Sequence, residues 1–253
     1  MRRRRVLQVL ATAALCPISA RRGFGADVNW TYEGATNGAA KWGELDPDFR
    51  ACSVGTQQSP IDFSGDIIKA QLPPLRTSWA KNADTIVNNG HTIQLNMSEG
   101  STLSVGSGGS YRLLQFHFHR PSEHTINGAS FPMEVHFVHQ NASGALAVVG
   151  VLMTGGRPNK TFNTIVLTMP NREGPPVKAD PKIDPNALLP AKRSYYRYEG
   201  SLTTPPCSET VDWLLLTEPI QVADADIASF ATLFKHNARP VQKLDRRFVL
   251  RSA

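Results

Sequence analysis

His117 and His119 stand one residue apart in an apolar and aromatic run at 111–118, and His136 follows in a second such run at 133–138. Side chains alternate across a β-strand, so His117 and His119 share one face while Phe116 and Phe118 fill the other. Two imidazoles roughly 6.5 to 7 Å apart along a strand can converge on one ion, and a third from a neighbouring strand completes a three-nitrogen set. Zinc takes imidazole nitrogen at about 2.0 to 2.1 Å, and three protein ligands with an open fourth position mark catalytic rather than structural zinc. A His-x-His strand alone would also suit a wet sheet face satisfied by water or carbonyls. The neighbours favour the metal: Gln115 shares the face of His117 and His119, and Glu134 and Val138 share the face of His136. Metal-bound histidines commonly give their second N–H to a carboxylate or carbonyl, and Gln115 and Glu134 are candidates for that duty.

These residues need a sheet to hold them. Residues 111–119 and 133–140 read as two strands joined through Pro121 and the turn pair Asn127-Gly128, so antiparallel pairing is expected. Ile86, Ile93, Leu95 and Met97 alternate across 85–97, broken at Asn88-Asn89-Gly90, with His91 just past the turn. The near-continuous apolar runs at 145–153 and 211–216 suit a sheet centre. Helices are few: one carries Phe162, Ile165, Val166 and Met169, and another carries Ile227, Phe230, Ala231 and Phe234, running to His236 after Asp224 and Asp226. Residues 27–75 are irregular and expected to wrap the sheet. The class is mainly β, or α+β: a single domain on a large twisted, mostly antiparallel sheet with short peripheral helices.

Length supports one substantial domain with a real core. The net charge of +6 points away from nucleic acid once it is located, because Arg2, Arg3, Arg4, Arg5, Arg21 and Arg22 precede the first acid, Asp27, and the remaining 21 basic and 21 acidic residues balance. Residues 1–26 read as an export signal of the twin-arginine kind, cleaved between Ala20 and Ala26, and too short for a membrane anchor. Export implies a periplasmic or secreted protein. It also leaves two cysteines, Cys52 and Cys207, expected as one disulfide, the alternative being two buried thiols.

Taken in order, several stretches resemble the α-class carbonic anhydrases over nearly all of 30–247. They are Gln58-Ser59-Pro60-Ile61-Asp62, Asn88-Asn89-Gly90-His91, Gln115 to His119, Ser122-Glu123-His124, Glu134-Val135-His136, Gly200-Ser201-Leu202-Thr203-Thr204-Pro205-Pro206-Cys207, Trp213, and Asn237 with Arg239-Pro240. The resemblance implies a domain at 27–253 with about ten strands and a Zn2+ ion held by His117, His119 and His136. Gln115, Glu134 and the carbonyl of Asn237 would orient those ligands. It implies reversible hydration of carbon dioxide to bicarbonate by a zinc-bound hydroxide, with weak esterase activity and inhibition by sulfonamides and anions. Thr203 and Glu123 would orient the hydroxide, Thr204 would contact bicarbonate, and Val138, Val148, Leu202 and Trp213 would wall the substrate.

His91 matches the proton-shuttle position, helped by Tyr32, Asn89 and Gln94, the last departing from the Asn often found there. The family tends to cis peptides at Ser59-Pro60 and Pro205-Pro206. His124 is expected to hydrogen-bond within the core, and His139 and His236 to have no function. The protein is expected as a monomer or homodimer. The competing reading is a non-catalytic carbonic-anhydrase-like binding module, whose mark would be a lost zinc ligand; this chain keeps all three.

Overall fold

The alternating apolar runs close into one sheet. The computed structural model describes residues 28–106 and 109–253, and the leader at 1–26 lies outside them. Seven strands position the histidines and their neighbours: β1 Thr85–Asn88, β2 Ile93–Asn96, β3 Ser110–His119, β4 Met133–Gln140, β5 Leu146–Gly155, β6 Tyr195–Gly200 and β7 Val211–Leu216. They run β1-β2-β3-β4-β5-β7-β6 across a sheet of 13 strands among the described residues. That is wider than about ten, because it gains short edge pieces such as Val177–Lys178 and Ile220–Val222, too brief to show a period. Most pairings are antiparallel, while β5 runs parallel to β7.

The pleat separates two chemistries. Phe116 and Phe118 of β3 and Val135 and Phe137 of β4 are fully buried in the larger core, which also takes Phe162 and Ile165 from the helix Lys160–Thr168. Asn159 caps that helix, its side chain accepting from the backbone N–H of Thr161 and Phe162. The other face carries the histidines and a smaller apolar cluster of Ile61, Phe63, Val138, Val148, Trp213 and their neighbours. β5 is buried on both faces, which explains its unbroken apolar run.

Two details differ from the sequence reading and a third, the expected turn at Asn127-Gly128, gains a hairpin around it. The last helix spans Asp224–Ala231, so Phe234 and His236 lie beyond it; Leu233 N–H and Phe234 N–H both bond to the Phe230 carbonyl as the turn loosens. The region before Leu75 does more than wrap the sheet: it has short helices at Trp42–Leu45 and Ala51–Val54, a strand Asp62–Phe63 paired with Thr125–Ile126, and an edge strand Ile68–Ala70. The link between β3 and β4 is a small hairpin, Thr125–Ile126 with Ala129–Ser130, turning at Asn127 and Gly128.

Cys52 and Cys207 form a disulfide with Cα atoms 5.0 Å apart, packed beside Trp30, Trp42 and Phe49. The bonds Ser59-Pro60, Arg120-Pro121 and Pro205-Pro206 are cis.

Candidate metal centre

Register, more than alternation, builds the site. β3 and β4 pair so that His136 lies opposite His117 and Glu134 opposite His119. A ring nitrogen from each of His117, His119 and His136 lies within 4.8 Å of the others. In each ring the second nitrogen is already taken. Gln115 Oε1 lies 2.8 Å from His117 Nδ1, the Asn237 carbonyl oxygen 2.7 Å from His119 Nδ1, and Glu134 Oε1 2.8 Å from His136 Nε2. That leaves His117 Nε2, His119 Nε2 and His136 Nδ1 to face one another. His119 Nε2 is buried without a hydrogen-bond partner among the described residues. Such an orphan is rare in a native interior.

Electrostatics prepare the rings for a cation. Burial, reinforced by His119 and His136, holds His117 well below the usual imidazole range, and burial lowers His119 despite the Glu123 charge. Neutral imidazole is the form that ligates. Burial would raise the Glu134 carboxyl, but His124 and His136 outweigh it and hold the group well below the usual carboxylate range. Its Oε2 accepts the backbone N–H of Glu123 and of His124 at 3.0 and 2.9 Å. An orphaned nitrogen, three converging imidazoles and a fixed outer acceptor for each ring fit a zinc ion.

Glu123 is buried; its Oε1 accepts the backbone N–H of Arg239 at 2.8 Å, and its Oε2 lies 3.5 Å from His119 Nε2 and 3.8 Å from His136 Nδ1 without a hydrogen bond among the described residues. Thr203 is buried in the loop after β6, and no hydrogen bond joins it to Glu123 among the described residues, so the expected pair is not made here. Val138, Val148 and Trp213 belong to one apolar cluster, with Leu202 packed against it. Thr204 is half-buried.

His91 stacks on Trp30 with ring centroids 3.6 Å apart and planes 6° from parallel. Burial lowers its pKa, with Glu173 pulling the other way. The Asn89 side-chain oxygen accepts the backbone N–H of His91 and Thr92, and Gln94 Nε2 donates to Asn96 Oδ1 at 2.7 Å, so both amides serve local structure. Tyr32 lies edge-on to His119 at 6.5 Å. Burial and the Glu123 charge push its phenol well above the usual range.

His124 is fully buried, with Nδ1 2.7 Å from Glu134 Oε1 and Nε2 2.7 Å from Tyr198 Oη. Both its nitrogens are engaged, so the grouping of His124, Glu134 and His136 is a hydrogen-bonded chain and not a second ion site. His139 is buried on the opposite face, beside Trp79. Two contributors escaped the sequence reading. Gly150 lies directly opposite His136, where a Cβ would stand 3.1 Å from Glu134 Oε1 and 2.8 Å from Leu215 Cδ1. A glycine inside an apolar strand is the signal for such a close approach. Tyr198, a plain strand tyrosine in sequence, closes the chain behind His124.

A sequence model described as eukaryotic-type carbonic anhydrase matches residues 37–253. The carbonic anhydrase of Pectobacterium carotovorum is 42% identical over 225 residues, covering 88% of this chain and 91% of that protein. That of Nostoc sp. is 40% identical over 259 residues, covering 98% and 97%. The solved α-carbonic anhydrase of Thermovibrio ammonificans, in complex with the inhibitor sulfanilamide, superposes with a TM-score of 0.85 at 42% identity, covering 88% of this chain and 99% of that one. The chain belongs to the α-class, or eukaryotic-type, carbonic anhydrase family. The family consists of zinc enzymes that hydrate carbon dioxide, and this member carries a candidate histidine triad.

Proposed function

We propose that the protein is a zinc-dependent carbonate dehydratase that interconverts carbon dioxide and water with bicarbonate and a proton. One observation supports this most: His117, His119 and His136 converge with their outer nitrogens already held by Gln115, Asn237 and Glu134. Bound zinc supplies the nucleophile at neutral pH, lowering the pKa of water to about 7, a figure that comes from carbonic anhydrases themselves.

The protein's own groups do the rest. His117 Nε2, His119 Nε2 and His136 Nδ1 would hold the ion, and imidazole ligands carry no negative charge that would offset its own. In the working enzyme Thr203 would accept a hydrogen bond from the attacking oxygen and close onto Glu123 Oε2 with its own hydroxyl proton, a contact this structure does not make, and so aim the oxygen's lone pair at carbon. Glu123 Oε2 is free to accept it. Thr204 contacts the bicarbonate. Val138, Val148, Leu202 and Trp213 exclude water from the place where an apolar molecule waits. His91 carries the released proton outward on an imidazole nitrogen, the side chain whose ordinary pKa lies nearest neutrality, with burial lowering it and Glu173 opposing that shift.

The same nucleophile would hydrolyse activated esters weakly, and sulfonamides and anions would compete for it. We further propose that residues 27–253 form the working domain and that the leader directs it to the periplasm or beyond. No helix among the described residues is long and apolar enough to cross a membrane. Zinc analysis tests the metal: about one zinc per chain supports the assignment, and iron would refute it. N-terminal sequencing of the mature protein tests export, with a start between residues 21 and 27 expected and an intact Met1 contradicting it.

A further inference from the structure

The outer acceptors do not end at Glu134. Its Oε2 is occupied by two backbone N–H groups, so Oε1 alone must serve both His136 Nε2, at 2.8 Å, and His124 Nδ1, at 2.7 Å. Two N–H donors on one oxygen hold their places only if each ring is fixed from elsewhere. His124 is fixed by Tyr198, whose Oη lies 2.7 Å from His124 Nε2 and 2.8 Å from Ser59 Oγ. Ser59 Oγ accepts the backbone N–H of Ser201 at 3.0 Å, and Ser201 Oγ accepts that of Ser59 at 2.9 Å. Trp213 Nε1 donates to the Ser201 carbonyl at 2.9 Å. Two residues further on stands Thr203. Ser59, His124, Tyr198 and Ser201 are all at most 2% exposed, so no solvent stands in for a lost partner.

We infer that Tyr198 is a positioning residue for the metal: through His124 and Glu134 it sets how His136 presents Nδ1, and through Ser59 and Ser201 it ties that ligand to the Thr203 loop. The inference rests on reading the three histidines as a metal site. Without the phenol oxygen, His124 Nε2 has no partner in a buried place. The ring swings to find one, and Glu134 follows it or loses its grip on His136. Sequence separations of 74 and 139 residues make this a link between distant parts of the chain.

Tyr198→Phe removes one oxygen and keeps the ring that packs on Trp213 at 6.2 Å. Zinc affinity and release rate are measured by competition with a chelator on folded protein. The expected result is about tenfold weaker binding, the lower end of what outer partners of metal ligands contribute. Tyr196→Phe, which removes the phenol of a half-buried tyrosine two positions earlier on the same strand, leaves both unchanged. Wild-type affinity in Tyr198→Phe overturns the inference. A His124→Gln variant reads the same chain one step closer and keeps the test open should Tyr198→Phe not fold; wild-type affinity there is equally contradictory. In the double variant the Tyr198 change adds nothing to His124→Gln if both act through one chain, whereas full additivity refutes that. Failure of the metal reading itself looks different: the wild-type protein then binds no zinc.

Discussion

At the scale of single residues, the site depends on which nitrogen each histidine leaves free, and that is set by atoms the ion never touches. Gly150 shows how little room there is. In Gly150→Ala the new methyl presses on Glu134 and Leu215. Overpacking costs about 1 to 3 kcal/mol of stability, and a displaced Glu134 weakens zinc binding by about 10- to 100-fold. Chelator competition checks this, and unchanged affinity would mean that Glu134 does not orient His136. His91 is predicted to carry protons. His91→Ala should slow turnover in dilute buffer by about 10-fold or more, with imidazole restoring it; equal rates for both proteins in dilute buffer would remove the shuttle. The triad was legible because the period of a strand puts His117 and His119 on one face. The Asn237 carbonyl was not readable from local pattern, since it arrives from 118 residues away, and only the family resemblance pointed to it. Tyr198 and Gly150 were invisible because their roles depend on register, which alternation does not specify.

At the scale of elements, long runs were readable and short ones were not. β3, β4, β5 and β7 each carry enough alternation or apolar continuity to declare themselves. Strands of two or three residues have no period, so the sheet's edges were missed. The loop carrying Thr203 is held from both ends, by the Ser59 and Ser201 pair and by the disulfide at Cys207. The disulfide closes 155 residues of chain, for which loop entropy gives an upper figure of about 5 kcal/mol. Reductant, or Cys52→Ser with Cys207→Ser, should therefore lower the melting temperature by several degrees and reduce activity at temperatures where the oxidised protein is intact. No change in melting temperature would show that the short helices and Trp42 hold this region unaided.

For the whole molecule, acid tolerance should be limited by the imidazoles buried away from solvent. His139 is the informative one because it lies on the face away from the histidine triad. Burial pushes its pKa down to about 3 in the folded protein, against the usual 6.5, with its hydrogen bond to the Ala147 carbonyl a weaker opposing effect. The unfolded chain binds the extra proton, so this contribution to stability is whole above pH 6.5 and declines as the pH falls towards 3. Each pH unit in that window removes about 1.4 kcal/mol, or about 2 kcal/mol by pH 5. His139→Leu should flatten the acid limb of urea-unfolding free energy by that amount relative to wild type, and parallel limbs would contradict it.

The central claim is that the converging imidazoles serve the hydration of carbon dioxide. Stopped-flow measurement of that reaction on zinc-loaded protein, with and without sulfanilamide, tests it most directly. Rapid hydration abolished by the sulfonamide is the predicted result. A zinc-loaded protein with no sulfonamide-sensitive hydration would contradict the account.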